Sequence, residues 1–159
     1  MAIEIEHKFL LANNKWRQQI SHSVIYQQGY LQSDTQSSIR VRVSDTNAWL
    51  NIKSATPGNH RHEFEYVIPL DEAKEILQLL CKKPIIDKTR HFINIGQHTW
   101  EIDEFHGDND GLIIAEIELS ELNEEFNKPD WLGAEVTNDL RYYNNSLAKI
   151  PYKNWKDTQ

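Results

Sequence analysis

Glu4, Glu6 and Lys8 alternate with Ile3, Ile5, His7 and Phe9 at the start of the chain. Side chains of a strand alternate faces, so the two carboxylates and the ammonium stand in a row, about 6–7 Å apart. Neighbouring carboxylates repel unless a cation or water lies between them, and a lysine in line with them suits an anion held on that cation. The pattern returns along the chain. Arg40 and Arg42 share a face, as do Asn51 and Lys53, Arg61, Glu63 and Glu65, Lys88 and Arg90, Glu101 and Asp103, and Glu116 and Glu118. The residues between them are mostly apolar: Ile39, Val41, Ile52, Phe64, Tyr66, Ile102, Ala115 and Ile117.

Two folds accommodate such strands. In an antiparallel sandwich the apolar faces pack inward and the charges are solvated. In a closed barrel turned inside out, the charges line a channel and the apolar faces look outward beneath helices. Glu4/Glu6, Arg40/Arg42, Glu63/Glu65 and Glu116/Glu118 double like charges on one strand. Solvated faces usually intersperse signs, so this doubling strains the sandwich and keeps the channel open as the alternative. A channel holding both signs has a chemical logic: carboxylates take a divalent cation, arginines and lysines take a polyphosphate, and the cation joins the two.

The elements that must carry these residues are mostly strands, expected at 2–10, 25–31, 37–44, 47–54, 61–68, 86–94, 98–105 and 112–120. Ser44–Asn47, Thr56–Asn59 and Gly107–Gly111 read as turns, and short connections imply antiparallel pairing. Residues 71–82 read as an amphipathic helix capped by Asp71. A second helix is expected over 137–149, capped by Thr137 or Asn138 with Leu140, Tyr143 and Leu147 on one stripe, and a short one over 12–21. This is a strand-dominated α+β chain. At 159 residues, without a Pro/Gly-rich linker, it is expected to form one domain, 1–159.

The net charge of −7 argues against a general nucleic-acid surface but leaves room for a concentrated basic pocket. No apolar run is long enough for a membrane span, the N-terminus lacks a signal-peptide core, and Cys81 is the sole cysteine. These features fit a cytoplasmic protein with a buried, inert thiol. The seven histidines have no HExxH or CxxC context for zinc, and GxSxG and phosphate-cradling glycine loops are missing. His60 and His62 read as exposed loop residues, Tyr142, Tyr143 and the tryptophans as packing, and Lys149 and Lys153 as solvated.

Glu4-Ile-Glu6-His-Lys8 resembles the N-terminal ExExK motif of the CYTH group, the triphosphate tunnel metalloenzymes. Gln28–Leu31, Ile39–Arg42, Ile52-Lys53, Arg61–Pro69, Lys88–Arg90, Trp100–Asp103, Gly111–Leu119 and Trp131–Thr137 are similar to successive segments of that family, in order. The resemblance implies a closed eight-stranded antiparallel β-barrel with helices outside, whose tunnel binds triphosphate-containing small molecules with Mg²⁺ or Mn²⁺. By matched positions, it implies Glu4, Glu6 and Glu118 as metal ligands with Glu116 close behind, and Asp103 at a second metal or the attacking water. Lys8, Arg40, Arg42, Lys53, Lys88 and Arg90 would bind phosphate oxygens, with Arg61 also facing the tunnel. Glu63, Glu65 and Glu101 would neutralise neighbours, and Glu135 would anchor the chain's tail. His7 departs from the arginine usual in the motif, on the opposite face.

The activity implied is hydrolysis of inorganic triphosphate to pyrophosphate and phosphate, with Glu116, Asp103 and Lys8 as the catalytic set. An adenylate cyclase, a thiamine-triphosphatase and a non-catalytic polyphosphate-binding module are the competing readings. The module should lose carboxylates, and this chain keeps Glu4, Glu6, Glu116 and Glu118. No nucleic-acid or membrane partner is expected, and the chain is expected to act as a monomer or homodimer.

Overall fold

The computed structural model describes residues 2–34, 36–54 and 60–157. Eight strands follow the alternating stretches: β1 (Ala2–Leu11), β2 (His22–Ser33), β3 (Ser37–Val43), β4 (Ala48–Ser54), β5 (His60–Ile68), β6 (Ile86–Ile95), β7 (His98–Phe105) and β8 (Ile113–Leu119). They pair antiparallel in the order β5-β4-β3-β2-β6-β7-β8-β1, and pairing of β1 with β5 closes the ring. The register sets Glu6 opposite Glu118, Lys8 opposite Glu116, Arg90 opposite Asp103 and Glu4 opposite Arg61.

The charged faces point inward. The apolar faces point outward and form three core clusters between the ring and its covering segments, so the sandwich arrangement is excluded. Ile5, Phe9, Trp100, Ile102 and Ile117 pack with Trp16 and Trp131 in one cluster. Tyr30, Ile86, Phe105 and Ile114 pack with Leu147 and Trp155 in another. Helix α1 (Leu70–Leu79) covers β3 and β4 with Ala73 and Leu77, and the buried Cys81 joins that third cluster. Burial of this stripe, rather than helix propensity, holds so short a helix.

Three expectations are corrected. Pro69, not Asp71, occupies the N-cap of α1, and Asp71 sits in the first turn, where its charge favours the helix N-terminus. The helix expected over 137–149 is broken into a 3₁₀ turn, Leu140–Tyr142, capped by Asp139, and a four-residue α2 (Asn144–Leu147). Tyr143 between them is extended because its hydroxyl donates to the Thr137 carbonyl and its ring is buried, while Leu140 is half exposed. The 12–21 segment is a 3₁₀ turn, Lys15–Gln19, anchored by Trp16.

One strand escaped the sequence reading. β9 (Leu132–Glu135) pairs with the C-terminal end of β1, and Gly133 permits it: a Cβ there would stand 2.8 Å from the Leu10 carbonyl oxygen. The Ser44–Asn47 turn is present, its Ser44 hydroxyl accepting from the Asn47 amide. The Gly107–Gly111 turn contains a 3₁₀ turn and uses positive φ at both glycines. The turn expected at 56–59 lies outside the described residues, as does the His60 side chain, while His62 faces outward on β5. Among the described residues no helix is long and apolar enough to cross a membrane.

Candidate active site

The ring encloses a cavity of about 310 Å³. Glu4, Glu6 and Lys8 from β1 line it with Arg40 and Arg42 from β3, Lys53 from β4, Arg61, Glu63 and Glu65 from β5, Lys88 and Arg90 from β6, Glu101 from β7, and Glu116 and Glu118 from β8. One inward face per strand is enough to collect them, because a strand's even and odd positions cannot share a side. Asp103 is the exception among the expected site residues. It is fully buried in the wall, where Arg90 grips both its oxygens at 2.7 and 2.9 Å and Lys88 donates at 2.8 Å.

Exposure orders the cavity. Lys8, Arg40, Lys88 and Arg90 are buried, whereas Glu65 and Glu118 are exposed and Glu63 and Glu101 are partly so. Most acids carry a cationic partner. Lys53 is 3.0 Å from Glu4, Arg61 is 2.9 Å from Glu6, Lys8 pairs with Glu116, and Arg90 is 3.1 Å from Glu101. Burial alone would raise the Glu6 carboxyl, but Lys8, Lys53 and Arg61 outweigh it and hold it at about 2. Asp103 is likewise held far below the usual range: Arg90 and Lys88 overcome its desolvation.

The cations are not all compensated. Burial, Arg40 and Arg90 push the Arg42 guanidinium down to about 10. Burial also drives Lys88 well down, because Arg90 and Arg42 oppose the help it receives from Asp103. Lys8 and Arg90 move the other way, since Glu116 and Glu6 around the first, and Asp103 and Glu101 around the second, exceed their desolvation. The buried Nε atoms of Arg40 and Arg61 have no hydrogen-bond partner among the described residues. Around Arg40 and Arg42, which have no carboxylate partner among the described residues, a polyphosphate would supply the missing acceptor oxygens.

The carboxylates that could hold a metal are Glu4, Glu6, Glu116 and Glu118, on the adjacent strands β1 and β8. Among the described residues no three acid or histidine groups already converge as a metal cluster. The donor set nevertheless fits a hard divalent cation, being carboxylate oxygen throughout. Glu118 shows the need for one: partial desolvation, then Glu4, Glu63, Glu101 and Glu6, push its carboxyl up to about 7. An acid raised in the folded state costs stability once it ionises, so the cost grows from pH 4.5 upward and is complete above about 7. In chelator, Glu118→Gln should raise the Tm at pH 8 by about 1–3 °C and leave it unchanged at pH 4. A thermal scan of both proteins at the two pH values checks this.

Several lining residues were not among the expected site residues. Tyr26, Tyr30 and Ser38 line the cavity from β2 and β3, and Phe92 from β6. Reading β2 and β6 at period two would have found the aromatics. Tyr143, Asn144 and Asn145 come from the broken segment after β9, and no strand pattern marks them. Tyr143 is more than packing: its ring centroid is 4.6 Å from both Lys8 Nζ and Arg61 Cζ. Glu135 accepts from Thr137 and pairs with His7, and Thr137 in turn accepts from the Lys8 amide, which ties the tail to β1. Lys149 is exposed and donates to the Ser33 carbonyl, and Lys153 is exposed and paired with Asp108.

The CYTH domain model matches residues 2–152. An inorganic triphosphatase of Acetivibrio thermocellus is 48% identical over 157 residues, covering 99% of this chain and 100% of that protein. An inorganic triphosphatase of Nitrosomonas europaea is 37% identical over 150 residues, covering 91% of this chain and 96% of that one. A solved inorganic triphosphatase structure superposes with a TM-score of 0.64 at 32% identity, covering 91% of this chain and 97% of its own. Sequence, ring and enclosed charges agree: the chain belongs to the CYTH domain family.

Proposed function

We propose that this protein is a metal-dependent triphosphatase that hydrolyses inorganic triphosphate to pyrophosphate and phosphate. The observation that carries the reading is the pair of inward-facing guanidiniums Arg40 and Arg42, which have no carboxylate partner among the described residues: burial and neighbouring cations hold Arg42 down, and the Arg40 Nε has no hydrogen-bond partner among them. Relatives of matching length that are named inorganic triphosphatase support the substrate. The whole chain, 1–159, would act as one domain, in the cytoplasm, on a small-molecule triphosphate, as a monomer or homodimer without nucleic-acid or membrane partners.

Lys8, Arg40, Arg42, Lys53, Arg61, Lys88 and Arg90 bind phosphate oxygens and hold the anion in line along the cavity. When bound to Glu4, Glu6, Glu116 and Glu118, Mg²⁺ or Mn²⁺ supplies neutralisation of the charge that develops as the anhydride breaks. Glu116, which accepts a hydrogen bond from the Lys8 ammonium, orients and deprotonates the attacking water. Asp103, assigned by resemblance to a second metal or the water, is better supported as the group that fixes Lys88 and Arg90, since both its oxygens are engaged by them. No covalent nucleophile is needed, because positioning and electrostatics carry this chemistry.

The test is release of phosphate and of cyclic AMP from tripolyphosphate, ATP and thiamine triphosphate, each with Mg²⁺ or Mn²⁺. Fastest turnover is expected on tripolyphosphate. Cyclic AMP and pyrophosphate from ATP would make the protein a cyclase. Binding without turnover under either metal would make it a polyphosphate-binding module.

A further inference from the structure

Tyr143 and Asn144 are consecutive, yet they touch opposite walls of the ring. Tyr143 lies against Lys8 of β1 and Arg61 of β5, while the Asn144 Oδ1 accepts from Lys88 of β6 and Gln28 of β2, both at 2.9 Å. In the ring, β8 and β7 separate β1 from β6, and β4 and β3 separate β5 from β2, so the two contacts are diametrically opposed. The chain therefore crosses one mouth of the tunnel. It is tied down there by fully buried Leu147 and by Asn145 and Lys149, which donate to Ser33.

The orientation of the Asn144 amide is fixed by chemistry. An ammonium only donates, so Lys88 must meet the Asn144 oxygen, and Gln28 is held in turn because its own oxygen accepts from Arg42 Nε at 2.9 Å. The Asn144 NH₂ is left with no partner among the described residues, on a residue only 9% exposed that lines the cavity. Next to Lys88 and open to the cavity, this amide donor is free to meet an acceptor from the lumen.

We propose that Asn144 is a substrate-binding residue that donates its side-chain amide to an oxygen of the terminal, unesterified phosphate at the closed end of the tunnel. The proposal rests on the triphosphatase reading above. Because the segment carrying Asn144 spans from one wall to the other there, a group attached to that phosphate would run into it, so the proposal requires at least one end of the triphosphate to be free.

Asn144→Asp and Asn144→Ala separate this role from a structural one. Asp keeps an acceptor for Lys88 and Gln28 but replaces the NH₂ with an oxygen that repels phosphate, whereas Ala loses both functions. With Mg²⁺ and tripolyphosphate, the expected rise in KM is about tenfold for Ala and about 100-fold for Asp. Diadenosine triphosphate, blocked at both ends, should not inhibit wild-type turnover, whereas ATP should compete. Unchanged KM in either variant, a larger loss in Ala than in Asp, or inhibition by diadenosine triphosphate equal to that by ATP overturns the proposal. Absence of wild-type turnover on tripolyphosphate would instead overturn the triphosphatase reading, so the two failures are distinct.

Discussion

Alanine at Glu118 or at Glu4 is expected to lower metal-dependent phosphate release from tripolyphosphate by at least ~100-fold, because even partners one step removed from a metal cost 10–100-fold when changed. The two variants should reach that loss differently. Glu118 has no cationic partner among the described residues and is crowded by Glu4, Glu63, Glu101 and Glu6, so its removal relieves repulsion while deleting a ligand. Glu4 is paired with Lys53 at 3.0 Å, so its removal also frees a lysine in the tunnel. The Glu118 variant should accordingly bind metal more weakly yet unfold no earlier than wild type in chelator. The Glu4 variant should lose metal binding and also some stability. Phosphate-release assays across a range of Mg²⁺ and Mn²⁺, paired with chelated thermal scans, distinguish these outcomes. Activity near wild type in both variants would remove these glutamates from the metal site.

The largest effect on stability should come from Asp103→Ala, at about 3–5 kcal/mol, because it strands two buried cations. Asp103 is the shared anion of Arg90 and Lys88, and neither its side chain nor that of Lys88 reaches solvent. Measured by urea unfolding, this loss is a large part of what a domain has, about 5–15 kcal/mol in total. Lys88→Met in the Asp103→Ala background should recover part of it by removing one of the stranded charges. A double variant no more stable than the single would show that Lys88 does not depend on Asp103. The same carboxylates govern acid unfolding. The folded values of Glu6 and Asp103 are depressed, so their stabilisation is complete above their unfolded values and is lost as pH falls. For Glu6 that loss runs from pH 4.5 down to about 2.

Period-two alternation made the strands and their charged faces legible, and the stretches expected at 37–44, 98–105 and 112–120 differ by at most a residue from β3, β7 and β8. Alternation is a local property of the strand backbone and survives any tertiary arrangement. Other features depend on distant partners. β9 is four residues long and exists because β1 offers it an edge and Gly133 lets the backbones approach. The 137–149 segment has helical spacing, but burying Tyr143 against Lys8 and Arg61 stabilises an extended residue more than one further helical turn would. Asp103 looked equivalent to Glu101 in sequence, two residues apart on one face, yet one is sealed between Lys88 and Arg90 and the other faces the lumen.

By itself, the sequence determined which residues share a face, that like charges are doubled along single strands, and through its ordered motifs which family the chain joins. Whether those faces look outward to water or inward to a common cavity was decided only by the pairing of β1 with β5, because closing a ring is a contact between residues roughly sixty positions apart. The same closure decided which cations are crowded, which carboxylates are paired, and that one mouth is crossed by Tyr143 and Asn144. Electrostatic and hydrogen-bond consequences fall off over a few ångströms of space, not of sequence, and so they belong to the folded ring.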